Sequence, residues 1–81
     1  MFWNLIYVSI MDKVDIIKQV AEAIRMERFR QRLSQEKLAE MAGISTKYLN
    51  SIENEKVNPS ITIVVQLCDV LNLQLNQLIK K

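Results

Sequence analysis

The apolar positions of this 81-residue chain fall into two different rhythms. From Asp12 onward they recur at three- and four-residue steps, the spacing of one face of an α-helix. Ile17, Val20, Ala21, Ile24 and Phe29 mark the buried side of a predicted first helix, about residues 13–31, with Asp12 as its cap. Leu38, Ala39 and Met41 give an apolar side to a short second helix, about residues 35–41, capped by Ser34. Gly43, the sole glycine, can take the positive φ that stops a helix and opens a sharp turn. Ser45 then caps a third helix, about residues 46–54, whose apolar pair is Leu49 and Ile52. Residues 55–58 read as a loop, because Asn58 is pushed off helical angles by Pro59. Ser60 caps a fourth helix, about residues 61–71, with Ile61, Val64, Val65, Cys68 and Leu71 as its stripe and Asn72 as a left-handed stop. Leu75, Leu78 and Ile79 suggest a short fifth helix over about residues 75–80.

Residues 2–10 follow the other rhythm. Phe2-Trp3-Asn4-Leu5-Ile6-Tyr7-Val8-Ser9-Ile10 is rich in aromatic and β-branched residues, which suits a strand. Nothing else in the chain reads as a strand to pair with it, and an unpaired strand seeks a partner in another subunit. Three readings stay open: an intersubunit strand, an extension packed on the first helix, or a leader ahead of a start at Met11. The division is therefore residues 1–11 as an apolar extension and 12–81 as the folded domain. The run is too short to span a bilayer and lacks a basic leader and a small-residue cleavage site, so no membrane role is expected.

The second and third helices with their glycine turn form a helix-turn-helix, whose second helix can lie in the major groove of DNA. The ordered set Ser34-Gln35-Glu36-x-Leu38-Ala39, Gly43, Ile52-Glu53 and Asn58-Pro59-Ser60 resembles the Cro/C1-type family of phage repressors and bacterial regulators. The resemblance covers about residues 24–78. It implies an all-α, five-helix, lambda-repressor-like DNA-binding domain. The N-terminal segment, which the family pattern does not cover, is an extension for which an intersubunit strand is one of the three readings.

The motif turns Thr46, Lys47, Asn50 and Ser51 outward on the third helix, with Tyr48 at its edge. By resemblance these positions match the base-contacting set. Lys47 can donate to guanine O6 or N7, Asn50 can pair with adenine, and Thr46 can meet a thymine methyl. Tyr48 suits a phosphate or sugar contact. Gln35 opens the second helix, where its amide, free backbone N–H groups and the helix dipole can hold a phosphate. The resemblance adds Asn54 and Lys56 as backbone contacts. It also pairs Arg28 of the first helix with Glu53 at the end of the third, leaving the guanidinium near a phosphate. Two departures from the family pattern stand out: Arg32 and Glu55 occupy positions where glycine is usual. Glu55 would then adopt unusual angles and set a negative charge near the phosphate path.

Charge sharpens this picture. Residues 25–56 hold seven basic and five acidic side chains, and the remainder balances, so the whole net charge of +2 lies on the motif and its approach. With no histidine, one cysteine and no glycine-rich loop, no nucleophile–base or metal constellation assembles. Neither an enzyme nor a cofactor or metal is expected. Cys68 on an apolar stripe reads as a buried small hydrophobe, and a reducing cytoplasm fits. The leading function is a sequence-specific transcriptional regulator, a repressor on a palindromic operator in double-stranded DNA, acting as a homodimer. The competing one is an antitoxin-like protein-interaction module that also binds DNA and holds a protein partner through its N-terminal segment.

Overall fold

The computed structural model describes the backbone of residues 2–78 and the side chains of residues 16–78, Leu75 apart. Four α-helices follow in order: α1 (Phe2–Arg30), α2 (Gln35–Ala42), α3 (Thr46–Glu53) and α4 (Ile61–Leu71). A single 3₁₀ turn, Leu75–Gln77, closes the described chain. Helix α1 packs on α3 and α4, and α2 packs on α3 and α4. Ile24, Leu38, Leu49, Ile52, Leu67 and Leu71 are fully buried where the four helices meet. Each such side chain contributes roughly 1.5–3 kcal/mol by leaving water.

The N-terminal segment is helical, not a strand. It continues α1 without a break, so Asp12 lies inside the helix and does not cap it. A lone strand leaves its N–H and C=O groups unpaired, whereas a helix pairs them within the segment. The β-branched residues oppose this by at most about 0.7 kcal/mol each. A 29-residue helix is about 43 Å long, close to the 46 Å long axis of the molecule. The expected fifth helix is replaced, among the described residues, by the 3₁₀ turn; Ile79 and Lys80 lie outside them.

The caps follow the sequence closely. Ser34, Ser45 and Ser60 are extended, and each Oγ accepts the backbone N–H three residues on, at 2.9, 3.0 and 3.3 Å. The four helices end alike. Arg32 (φ 59°), Gly43 (φ 72°), Glu55 (φ 60°) and Asn72 (φ 60°) are all left-handed. After each, the next N–H returns to the carbonyl five residues back: Leu33 to Arg28, Ile44 to Ala39, Lys56 to Ser51 and Leu73 to Cys68. This is the Schellman closure.

Four apolar residues expected inside stand outside. Phe29 is 59% exposed, Met41 45%, Ile61 67% and Val65 44%. Phe29 lies under the Arg28 guanidinium, 4.6 Å from ring centroid to the carbon, so its ring stacks on the cation while staying exposed. In α2 and α4 the buried face is rotated, so that Ala42 and Leu67 take the inward places.

Candidate nucleic-acid interface

The turn between α2 and α3 is the three residues 43–45, which leave no slack: Gly43 stops one helix and Ser45 starts the next. A side chain at position 43 would meet no atom within 4 Å, so only the backbone conformation calls for glycine there. Leu49 and Ile52 are buried beneath α3. That anchors the helix and fixes which residues face outward.

Of the expected base-contacting residues, Lys47 and Asn50 are exposed, while Thr46 and Ser51 are half-buried on the same helix. Tyr48 is half-buried and packs against the core, so its ring steadies α3 from the side. Asn54 and Lys56 are exposed just past the helix. The Asn54 amide donates to the Asn50 carbonyl at 2.9 Å, which closes the last turn of α3. Gln35 is half-buried at the first position of α2.

Arg28 and Glu53 meet as the resemblance implied. Arg28 Nε donates to Glu53 Oε2 at 2.8 Å and Nη2 donates to Oε1 at 2.9 Å, a two-pronged pair with Arg28 7% and Glu53 2% exposed. The third prong, Nη1, donates to the Leu33 carbonyl at 2.9 Å. A guanidinium so enclosed is a scaffold element with little left to offer a phosphate. Every buried side-chain polar atom among the described residues has a partner, as a buried charge pair requires.

Several contacts escaped sequence reasoning. Arg25 Nη1 donates to the Glu53 backbone carbonyl at 2.9 Å, so two arginines one turn apart on α1 hold the end of α3. Their i, i+3 spacing is the signal that marks this in the sequence. Gln35 Nε2 donates to Glu53 Oε1 at 3.1 Å, and Asn50 Nδ2 donates to Gln35 Oε1 at 3.3 Å. Gln31 joins Glu27 at 2.8 Å to the Leu71 carbonyl at 2.8 Å, fastening α1 to the end of α4. Glu27 also pairs with Arg30, and hydrogen bonds from Arg30 and Gln31 hold its carboxyl down at about 2. Burial pushes the Cys68 thiol up from its ordinary value.

The sum is a rigid pair of short helices with the exposed side chains of α3 presented above a buried clamp. No helix among the described residues is long and apolar enough to cross a membrane. Control protein C.SmaI of Serratia marcescens is 32% identical over 68 residues, covering 84% of this chain and 81% of that protein. The immunity repressor protein of Bacillus phage phi105 is 35% identical over 63 residues, 78% of this chain but only 42% of the repressor. The crystal structure of the restriction-modification controller protein C.AhdI from Aeromonas hydrophila superposes with a TM-score of 0.73 at 25% identity. It covers 78% of this chain and 96% of that one. These relatives are regulators, and residues 23–78 match the helix-turn-helix family over most of the chain. The chain belongs to that family, as a helix-turn-helix DNA-binding regulator of the Cro/C1 type.

Proposed function

We propose that this regulator binds a palindromic operator as a homodimer and acts chiefly as a repressor. The observation that carries the reading is the exposed face of α3, where Lys47 and Asn50 stand clear on a helix clamped from below by Arg28 and Glu53. On this reading Thr46, Lys47, Asn50 and Ser51 contact bases. Gln35 and the N-terminus of α2 hold one phosphate, and Tyr48, Asn54 and Lys56 meet the flanking backbone. The kinship to a control protein and an immunity repressor favours transcriptional control over catalysis, and a cytoplasmic location. A domain this small gains from dimerisation. The exposed Ile61 and an apolar groove of about 330 Å³ between α1 and α4, lined by Ile16, Val20, Pro59 and Leu78, offer a surface for it.

Selection of bound sequences from random duplex DNA, followed by affinity measurement across a salt series, tests the reading. Palindromic half-sites about 34 Å apart are expected. Lys56 from each of two subunits, the charged phosphate contact of this reading, predicts a slope of log affinity on log salt of about −2. Sedimentation of the full chain and of a version starting at Met11 tests the dimer and any share of residues 1–10 in it. Absence of sequence-selective, salt-dependent binding would overturn the proposal. The antitoxin-like alternative, in which the apolar start of α1 holds a protein partner, would then take its place.

A further inference from the structure

A line of hydrogen bonds runs from the buried ion pair to the exposed face of α3. Glu53 Oε1 accepts from Arg28 Nη2 at 2.9 Å and from Gln35 Nε2 at 3.1 Å. Gln35 Oε1 accepts from Asn50 Nδ2 at 3.3 Å. The direction of this line is not free. A carboxylate paired with an arginine only accepts, so Gln35 must turn its NH₂ toward Glu53 and its oxygen away. That oxygen also only accepts, so Asn50 must turn its NH₂ toward Gln35. Reversing either amide would set two oxygens against each other.

We propose that Gln35 is a positioning residue for base recognition. It carries the fixed polarity of Glu53 to Asn50 and holds the Asn50 amide in one orientation. The inference rests on the DNA-binding reading above and deepens it. Asn50 then presents its carbonyl oxygen and one remaining N–H to the groove. Adenine matches that pair, with N6–H₂ as donor and N7 as acceptor. Guanine offers two acceptors, N7 and O6, and Asn50 has only one N–H left for them. Its position in the operator therefore selects adenine against guanine. Gln35 keeps a second Nε2 hydrogen for a phosphate, so one residue both grips the backbone and orients a neighbour that reads a base.

The experiment is selection from random duplex DNA with the full chain, Gln35→Met, Asn50→Ala and the double variant. Gln35→Met keeps the stem and removes the amide at a half-buried site, and a thermal melt checks that it folds. The unaltered chain should prefer adenine at one base pair of each half-site, and Asn50→Ala should abolish that preference. Gln35→Met should lower it about tenfold at the same base pair, on top of a uniform loss of affinity. The double variant should be no less selective there than Asn50→Ala alone. Gln35→Met that weakens all sequences equally with the adenine preference intact overturns the proposal. So does guanine at the base pair that Asn50→Ala disturbs, or an Asn50→Ala variant with unchanged preferences. An unaltered chain that selects no sequence overturns the DNA-binding reading itself, a distinct failure.

Discussion

Replacing Arg28 by methionine isolates what the clamp under α3 is worth. Methionine keeps much of the stem and removes the guanidinium. Glu53, 2% exposed, then loses two of its three side-chain hydrogen bonds and keeps only that from Gln35. The Leu33 carbonyl loses its donor as well, but Leu33 is half-buried and water can reach it. Leaving one member of a buried ion pair unpaired costs about 3–5 kcal/mol. A domain of 81 residues has roughly 4–12 kcal/mol in total. The single change should therefore remove a quarter or more of the stability, against the 0–1 kcal/mol expected of an exposed pair.

The paired change Arg28→Met with Glu53→Met separates charge from packing. It removes both ions and fills similar volume, so its cost should fall to about 1–2 kcal/mol, chiefly from the Gln35 amide that loses its acceptor. Urea unfolding followed by far-UV circular dichroism reads both variants, with the midpoints compared at unchanged slope. A loss below about 1 kcal/mol for Arg28→Met, or a double variant as unstable as the sum of the two singles, would refute a buried and coupled clamp.

The remaining expectations follow from particular side chains. The Glu27 carboxyl sits at about 2, below its ordinary 4.5, so its stabilising share is full above about pH 4.5 and drains away as pH falls toward 2. Glu27→Gln should flatten that acid limb in a pH series of thermal melts, and an unchanged limb would contradict it. Cys68 is 4% exposed and its thiol is pushed up by burial, so a thiol reagent at neutral pH should label it only as fast as the chain opens. A rapid burst of labelling would place it at the surface. Arg32→Gly and Glu55→Gly should each raise stability by about 0.5–1 kcal/mol, since φ near +60° is unstrained only for glycine. Destabilisation of either in urea would show that the side chain earns its conformation elsewhere.

The local grammar of the chain was readable because each signal acts over a few residues. Ser34, Ser45 and Ser60 cap where they should, Gly43 and Asn72 stop where they should, and α4 has its expected bounds. The positive φ of Glu55 was legible too, from a charged residue standing where glycine is usual. Periodicity was less reliable over short helices. Two turns of α2 fit more than one apolar face, and only packing against α3 and α4 chooses Ala42 over Met41. Residues 2–10 misled because aromatic and β-branched side chains suit either state, and the pairing of the backbone decides. The line from Glu53 through Gln35 to Asn50 joins residues 18 and 15 positions apart, which no local pattern encodes.

The left-handed stops connect stability to the site. All four helices close in the same way, yet only one of the four stopping residues is glycine. Asn72 tolerates that conformation, because a short polar side chain can hydrogen-bond locally. Arg32 and Glu55 have no such excuse, and each holds about 1 kcal/mol of unfavourable backbone energy. They stand at the two ends of the clamp, Arg32 just after α1 and Glu55 just after α3. Both are exposed and carry opposite charges. Toward a phosphate backbone, Arg32 is attractive and Glu55 repulsive, so the two strained positions affect affinity in opposite directions while affecting stability in the same one. Glycine at Glu55 should therefore gain stability and affinity together, whereas glycine at Arg32 should gain stability and lose affinity. Backbone relief and field effects can be told apart by that difference in sign, because a purely structural account would move both variants alike.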